Sequence, residues 1–214
     1  MNIKNLSKKQ NQALYTIVGI IAVAIICAII LQFYKSNDNK QMLEASTAYQ
    51  KALIASENTK SSLETKAAKF QTVVDNYPNT SFGIFASWQL ADLYVIPTKL
   101  DTTNFKMNIG NMPKAIYALQ QSIEANPNDS LTNITKTRLA KLYIASKEPE
   151  KAIKTLQSIK LLENSAYPLS LLGQAYSEKG DKTKAIQTWQ RALQDPSSSP
   201  EFKQIITQQI NNPN

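Results

Sequence analysis

The side chains that most often carry out chemistry in proteins are scarce in this chain. It contains no histidine and one cysteine, Cys27, among 214 residues. Histidine-based acid–base pairs, zinc sites built from histidine and cysteine, and intramolecular disulfides are therefore excluded. The sequence has no glycine-rich phosphate loop, nucleophile motif or converging pair of carboxylates. We predict a protein that is not an enzyme and that has no cofactor and no bound metal. Four aspartates are interpreted as surface or helix-capping residues: Asp75, Asp92, Asp129 and Asp195.

The clearest pattern in the chain is the spacing of small and large residues in 170–193, SLLGQAYSEKGDKTKAIQTWQRAL. Gly173 and Ala185 are small enough for two antiparallel helices to pack closely, with aromatic residues filling the space beside them. Gly180 tolerates a positive φ and can end the first helix, and Asp181 can cap the second. The aromatic residues are Tyr176 and Trp189, and we expect Trp189 to lie in the core.

The same pattern recurs twice upstream, which indicates a repeat protein. The step from Ala152 to Ala185 is 33 residues, and the step from Ala115 to Ala152 is 37. This resembles the tetratricopeptide repeat (TPR), a helix–turn–helix unit of about 34 residues. A polar segment, Pro97 to Asn111, is interpreted as a lengthened loop inside the first repeat. The positions equivalent to the 170–193 pattern are Ala91, Tyr94, Leu119, Ala140, Tyr143 and Leu156.

Composition and spacing together predict an all-α fold, a TPR-like α-solenoid with a C-terminal capping helix. Glycine is scarce, with five residues, and Ala, Leu, Lys, Gln and Glu dominate the chain beyond its N-terminus. The capping helix would shield the last repeat from solvent, as solenoids require. The predicted boundaries are a degenerate hairpin at 42–79, repeats at about 80–127, 131–160 and 166–195, and the capping helix at 199–211.

The N-terminal part of the chain has the properties of a membrane anchor. No charged residue occurs between Gln10 and Tyr34, and this apolar run is long enough to cross a bilayer. We predict a short cytoplasmic segment (1–13), a transmembrane helix (14–34), a linker (35–41) and an extracytoplasmic domain (42–214). A cleaved signal peptide is the alternative, but no small-residue cleavage site follows the run.

The distribution of charge supports this orientation and argues against nucleic-acid binding. Three lysines precede the apolar run without an opposing acid, so the N-terminus is expected to stay in the cytoplasm. The net charge is +8, but the remaining lysines are spread along helices beside Glu and Asp. They do not form a basic patch interleaved with aromatic residues, and we predict no nucleic-acid partner. The three N-terminal lysines are Lys4, Lys8 and Lys9.

The order of these parts resembles one family of membrane-anchored TPR proteins. After the anchor come AYQKAL, FQTVVDNYPNTSFGIFASWQLADLY, TRLAKLYIASKEPEKAIKTLQSIK, GDKTKAIQTWQRAL and a closing QINN. This series is similar to that of the YfgM-type ancillary subunit of the bacterial SecYEG translocon. The resemblance implies an inner-membrane protein with a periplasmic TPR domain. It also implies two partners, the SecYEG translocon and a periplasmic chaperone of the peptidyl-prolyl isomerase class. The N-terminal segment is shorter, and the loop at 97–111 longer, than the family leads us to expect.

The expected binding surface is the concave face of the solenoid, formed by the first helix of each repeat. An apolar strip there would suit an unfolded or extended polypeptide, with Asp92 and Lys141 as orienting charges. For Phe85 and Trp88, packing in the core against the preceding hairpin is the competing interpretation. The predicted groove residues are Phe85, Trp88, Asp92, Ile134, Thr137, Lys141, Tyr167, Ser170 and Gln174.

The predicted function is that of a scaffold in the bacterial inner membrane which links newly translocated proteins to periplasmic chaperones. Tethering in the same membrane raises the effective concentration of its partners. Two other functions fit the same sequence. One is a TPR adaptor in envelope biogenesis or cell division, and the other is a self-associating structural protein whose apolar strip forms a homo-oligomer surface.

Overall fold

The computed structural model describes residues 38–96 and 109–213, together with Ile26. The predicted transmembrane helix (14–34, apart from Ile26), the segment at 1–13 and most of the loop at 97–111 lie outside these residues. Among the helices that are described, none combines the length and apolarity needed to span a membrane. The chain divides into two units, Met1–Glu44 and Ala45–Asn214, and the packing reported below lies within the second.

The described ranges are helical and contain no β-strand, in agreement with the predicted all-α class. Short 3-10 turns, Ile109–Asn111 and Leu162–Asn164, precede α4 and α7. The helices are α1 (38–57), α2 (Leu63–Asn76), α3 (Ser81–Val95), α4 (Met112–Ala125), α5 (Thr132–Ala145), α6 (Pro149–Gln157), α7 (Ala166–Glu178), α8 (Lys182–Leu193) and α9 (Pro200–Asn211).

Several helices begin at a side chain that accepts a hydrogen bond from the first turn. Ser62, Thr80 and Ser199 each accept from the amide three residues further along, at 3.1–3.2 Å. The Asp181 carboxylate accepts from the amide of Lys184 at 3.1 Å, and Gly180 has φ of 89°. The predicted glycine stop and aspartate cap between α7 and α8 are therefore confirmed.

Asp195 links the end of α8 to the start of α7. Its carboxylate accepts hydrogen bonds from the hydroxyl and amide of Ser197, at 2.6 and 2.9 Å, and from the amide of Ala166 at 3.2 Å. These hydrogen bonds, first those from Ser197, hold the pKa of the carboxyl below its usual range. Asp195 is thus a capping residue, as predicted, but it serves a helix that begins 29 residues earlier.

Successive helices pack against each other along the chain, and α5 also contacts α7. This is the arrangement of stacked helical hairpins, in which α3, α5 and α7 are the first helices of the repeats and α4, α6 and α8 the second. The interface is close because alanines with no exposed surface recur at it. These residues are Ala115, Ala140, Ala152, Ala175, Ala185 and Ala192.

Gly173 of α7 makes room for the indole of Trp189 on α8. A Cβ atom at Gly173 would lie 2.4 Å from two atoms of that ring. The ring cannot move aside freely, because it is 3% exposed and its Nε1 donates to the Ser170 carbonyl at 3.0 Å. Trp189 is therefore a core residue, as predicted, and glycine is required opposite it.

A hydrogen bond between neighbouring repeats occurs twice. Gln120 of α4 donates to the hydroxyl of Tyr143 on α5 at 2.8 Å, and Gln157 of α6 donates to that of Tyr176 on α7 at 3.0 Å. A lysine from the next helix lies over each tyrosine ring, 5.6 Å from its centroid. Each repeat is thereby joined to the next by a polar contact in addition to apolar packing. The two lysines are Lys151 and Lys184.

Candidate functional site

The first helices of the repeats line a cleft of about 440 Å³. Its walls come from α3, α5 and the start of α7, and Leu119 of α4 contributes from below. Such a surface can hold an extended chain because it offers apolar contact between charged rims. Five of the nine predicted groove residues line this first cleft: Asp92, Ile134, Thr137, Lys141 and Tyr167.

A second cleft of about 560 Å³ follows on the same side of α5 and α7. Predicted residues Ser170 and Gln174 line it, and its far wall is the C-terminal helix α9. Lys141 and Tyr167 line both clefts. The two clefts are therefore neighbours, and together they extend from α3 to α9.

Exposure differs among the predicted residues. Ile134 and Tyr167 are 47% and 49% exposed, which is unusual for large apolar side chains in a folded domain. Thr137 and Ser170 are buried, and their hydroxyls donate to carbonyls of their own helices at 2.8 and 2.9 Å. The predicted groove residues therefore include exposed apolar side chains, Ile134 and Tyr167, and buried polar ones, Thr137 and Ser170. Asp92 and Lys141 are exposed, and Gln174 is half-buried.

Phe85 and Trp88 lie outside both clefts, in a cluster of aromatic rings. Phe85 contacts Trp88 at a centroid distance of 5.3 Å and contacts Tyr49 of α1 at 6.2 Å. Both are half-buried. Phe85 packs against α1 of the preceding hairpin, as the competing interpretation expected, whereas Trp88 packs against the core cluster that extends from α3 to α8. Phe82 completes the contacts between α1 and α3.

Trp88 also connects α3 to the next repeat. Its Nε1 donates to the hydroxyl of Thr135 at 2.9 Å, across 47 residues of sequence. The Arg138 guanidinium lies 4.9 Å from the indole and donates two hydrogen bonds of 3.1 Å to the Asp92 carboxylate. Trp88 therefore supports one wall of the first cleft through Arg138, although it does not line the cleft itself.

Arg138 and Ile205 are two of the cleft residues that were not predicted. Arg138 lines the first cleft, and it lies one turn beyond Ile134 on the same helix, a spacing visible in the sequence. Ile205 of α9 lines the second cleft and is 53% exposed. The apolar face of α9 was assigned to covering the last repeat, a role that Ile206 fills at 1% exposure. Both isoleucines line the second cleft, but Ile205 remains exposed there.

Two of the cations on this surface have an acidic partner. Arg138 is paired with Asp92 at 3.1 Å, and Lys147 is paired with Glu178 at 2.8 Å. Within residues 38–96 and 109–213, Lys141 has no acidic partner within 4.0 Å. Among the same residues, no group of three or more histidine, cysteine or acidic side chains could hold a metal ion. The exposed apolar side chains and the charges of this surface can bind a ligand.

Comparison with known proteins agrees with this geometry. The profile of a family described as a tetratricopeptide repeat-like domain matches residues 9–213. The chain belongs to this family. The predicted TPR-like α-solenoid is therefore confirmed for the helical region, and the family relationship accounts for the repeated hairpins.

Curated relatives of the chain share one name. A protein of Escherichia coli K12 is 28% identical over 181 residues, which cover 85% of this chain and 80% of the relative. A protein of Buchnera aphidicola from Acyrthosiphon pisum is 27% identical, covering 97% of this chain and 96% of the relative. Each is named "Ancillary SecYEG translocon subunit". The predicted resemblance to these subunits is confirmed.

Solved structures show the same fold at lower identity. A thermophilic TPR protein of Thermus thermophilus superposes with a TM-score of 0.52 at 17% identity, covering 68% of this chain and 72% of its own. MamA of Desulfovibrio magneticus RS-1 superposes with a TM-score of 0.53 at 14% identity, covering 80% and 86%. These similarities concern the fold alone.

Proposed function

We propose that this protein is a non-enzymatic, ancillary subunit of the SecYEG translocon. The observation that carries the proposal is the shared name of relatives that align with most of the chain. Family membership in the TPR-like group supports a scaffold, because repeats of this kind act by presenting extended binding surfaces.

The finer proposal concerns topology. A helix at 14–34 anchors the protein in the inner membrane, with the N-terminus in the cytoplasm and the TPR-like domain in the periplasm. The absence of charge from Gln10 to Tyr34 and the lysines before it support this arrangement. An anchor of this kind keeps the domain near the exit of the channel, so that weak contacts suffice for binding.

The proposed substrate is a newly translocated polypeptide that is still extended. Ile134, Tyr167 and Ile205 support this, since they expose apolar surface along the two clefts. A periplasmic chaperone of the peptidyl-prolyl isomerase class would then receive the polypeptide. That step rests on the family resemblance and on the use of TPR surfaces as adaptors.

Crosslinking in intact membranes, followed by purification of the full-length protein, tests the proposal. We expect subunits of the SecYEG channel to be recovered with it. A control protein carrying residues 1–34 fused to an unrelated periplasmic domain should not recover them, because it has the anchor but lacks the TPR-like domain. Recovery of cell-wall enzymes without channel subunits would contradict the proposal and favour an adaptor in envelope biogenesis. Recovery of only further copies of the chain would favour a self-associating protein.

A further inference from the structure

The charges of the two clefts differ in whether they are available to a ligand. Arg138 is held by two hydrogen bonds to Asp92 and lies over the Trp88 ring. Lys147 is paired with Glu178. Lys141 is exposed and, among the described residues, lacks an acidic partner within ion-pair distance. It is therefore the cation in this surface that is most available to bind an incoming carboxylate.

The position of Lys141 lets it contact a ligand that occupies either cleft. It lines both clefts, so it lies between the apolar groups of the first and those of the second. Ile134 lies in the first cleft, Ile205 lies in the second, and Tyr167 lines both; each of these side chains is about half exposed. A ligand that covers these apolar groups brings its backbone close to the Lys141 ammonium.

The dimensions correspond to a short extended peptide. Ile134 and Lys141 are seven residues apart on α5, which is two helical turns or about 10 Å. Three residues of extended chain span about the same distance. A carboxylate two or three residues from an apolar side chain can therefore reach Lys141 while the apolar side chain contacts Ile134 or Tyr167.

We infer that the concave face prefers extended segments in which one acidic residue is flanked by apolar residues, with Lys141 binding the carboxylate. The inference rests on the proposed function, because it assigns a class of sequence to the same binding face. Charge complementarity gives the preference, while the apolar contacts supply most of the affinity.

Fluorescence anisotropy with the full-length protein in mild detergent tests the inference. The probe is a labelled, C-terminally amidated peptide, Ser-Gly-Leu-Ser-Glu-Ser-Phe-Gly-Ser, together with its Glu-to-Gln analogue. We expect the glutamate peptide to bind about fivefold more tightly at low salt, the size of one partly exposed charge contact. Added salt should reduce this ratio toward one.

Two variants with the same change in charge identify the residue responsible. Lys141→Gln should abolish the preference and leave the affinity of the glutamine peptide unchanged. Lys154→Gln, on exposed α6 surface that lines neither cleft, should keep the preference. Loss of the preference in both variants would show a general charge effect and would overturn the assignment to Lys141.

The outcomes separate this inference from the proposed function. Equal binding of the two peptides to the wild-type protein would overturn the carboxylate preference, while recovery of channel subunits could still support the proposed function. Failure of both peptides to bind would overturn the inference together with the polypeptide-binding role. Tighter binding of the glutamine peptide would contradict the preference directly.

Discussion

At the scale of single residues, the contact of Gly173 with Trp189 gives the sharpest expectation for stability. Gly173→Ala would place a methyl group 2.4 Å from a buried ring that is fixed by its hydrogen bond to Ser170. We expect the free energy of unfolding to fall by about 2–3 kcal/mol, as is usual for overpacking a close contact. Urea denaturation followed by circular dichroism measures the change.

Gly180→Ala is the matched control for that substitution. No atom lies within 4 Å of a Cβ at Gly180, so the cost comes only from its φ of 89° and should be about 1 kcal/mol. Equal losses for the two variants would show that the Trp189 ring does not restrict position 173.

Trp88 should contribute to the stability of the fold through Thr135. Trp88→Phe keeps an aromatic ring but removes the Nε1 donor and weakens the contact with Arg138. We expect a loss of about 1–2 kcal/mol in unfolding free energy. A double-mutant cycle with Thr135→Val should give a coupling of about 1 kcal/mol. Additive effects of the two substitutions would contradict a hydrogen bond between them.

The residues of the clefts could be predicted from sequence only in part. Helical spacing on α5 placed Ile134 and Lys141 on one face, because residues seven apart align after two turns. The partner of Trp88 lies 47 residues away, and no local pattern identifies it. Thr137 and Ser170 have the expected positions on their helices, yet neighbouring helices bury them, which depends on packing and not on periodicity.

At the scale of helices, the Asp195 carboxylate makes stability depend on pH. Its pKa is lowered in the folded state, first by hydrogen bonds from Ser197 and then by the Ala166 amide. The unfolded chain therefore binds a proton more readily, with a pKa of about 3.9. The stabilisation is fully present above that pH and is lost as the pH falls through the lower folded-state pKa.

Asp195→Asn should flatten this dependence, because the amide can still accept a hydrogen bond but does not titrate. Urea denaturation at pH 7, 4 and 3 measures the slope for the variant and the wild type. Ser197→Ala should change the slope in the same direction, since it removes the donor at 2.6 Å. Identical slopes for Asp195→Asn and the wild type would contradict the assigned hydrogen bonds.

The glutamine–tyrosine contacts should couple adjacent repeats. Tyr143→Phe removes the acceptor of Gln120 from a ring that is 5% exposed, at an expected cost of about 1 kcal/mol. A double-mutant cycle with Gln120→Leu should give about 0.5–1 kcal/mol of coupling. The pair Gln157 and Tyr176 is more exposed and should give a smaller value. A larger coupling in the exposed pair would contradict this account.

The positions of the helices are the part of this structure that the sequence predicts best. The spacing of small residues, with Gly180 and Asp181 at the turn, identified the repeated hairpins, because these residue types reflect local helix geometry. Pro149 and Pro200 stand at helix starts, where the missing N–H costs little. The role of α9 was less predictable, since Ile205 and Ile206 are adjacent in sequence but have opposite exposure. Both line the second cleft, and which of them is buried depends on the angle at which α9 packs.

At the scale of the whole molecule, the helices α3, α5, α7 and α9 line the two neighbouring clefts to which we assign binding. The second helices of the repeats supply the lysines and glutamines that contact Tyr143 and Tyr176 and join the repeats. The exposed apolar residues of the clefts and the tyrosine contacts that join the repeats therefore involve different side chains. Substitution of the exposed apolar residues should change partner binding with little effect on melting, whereas substitution in the tyrosine contacts should do the reverse.

The double variant Ile134→Ser/Tyr167→Ser tests whether binding can be lost without a loss of stability. Both side chains are about half exposed, so their truncation should leave the melting temperature nearly unchanged. The variant should capture much less translocated polypeptide, because two apolar contacts are lost. Thermal melting and crosslinking yield are measured on the same preparation. A large drop in melting temperature would instead place these residues in the core.

The most direct test of the central claim is photocrosslinking in living cells while a secreted reporter protein is being exported. A photoreactive residue is placed at Tyr167, which lines both clefts, or at Lys154 on α6, which lines neither. We predict that the reporter is captured from position 167, that capture stops when export is blocked, and that position 154 captures little. Equal capture from both positions, or capture from 154 alone, would contradict a concave face that binds newly translocated polypeptides.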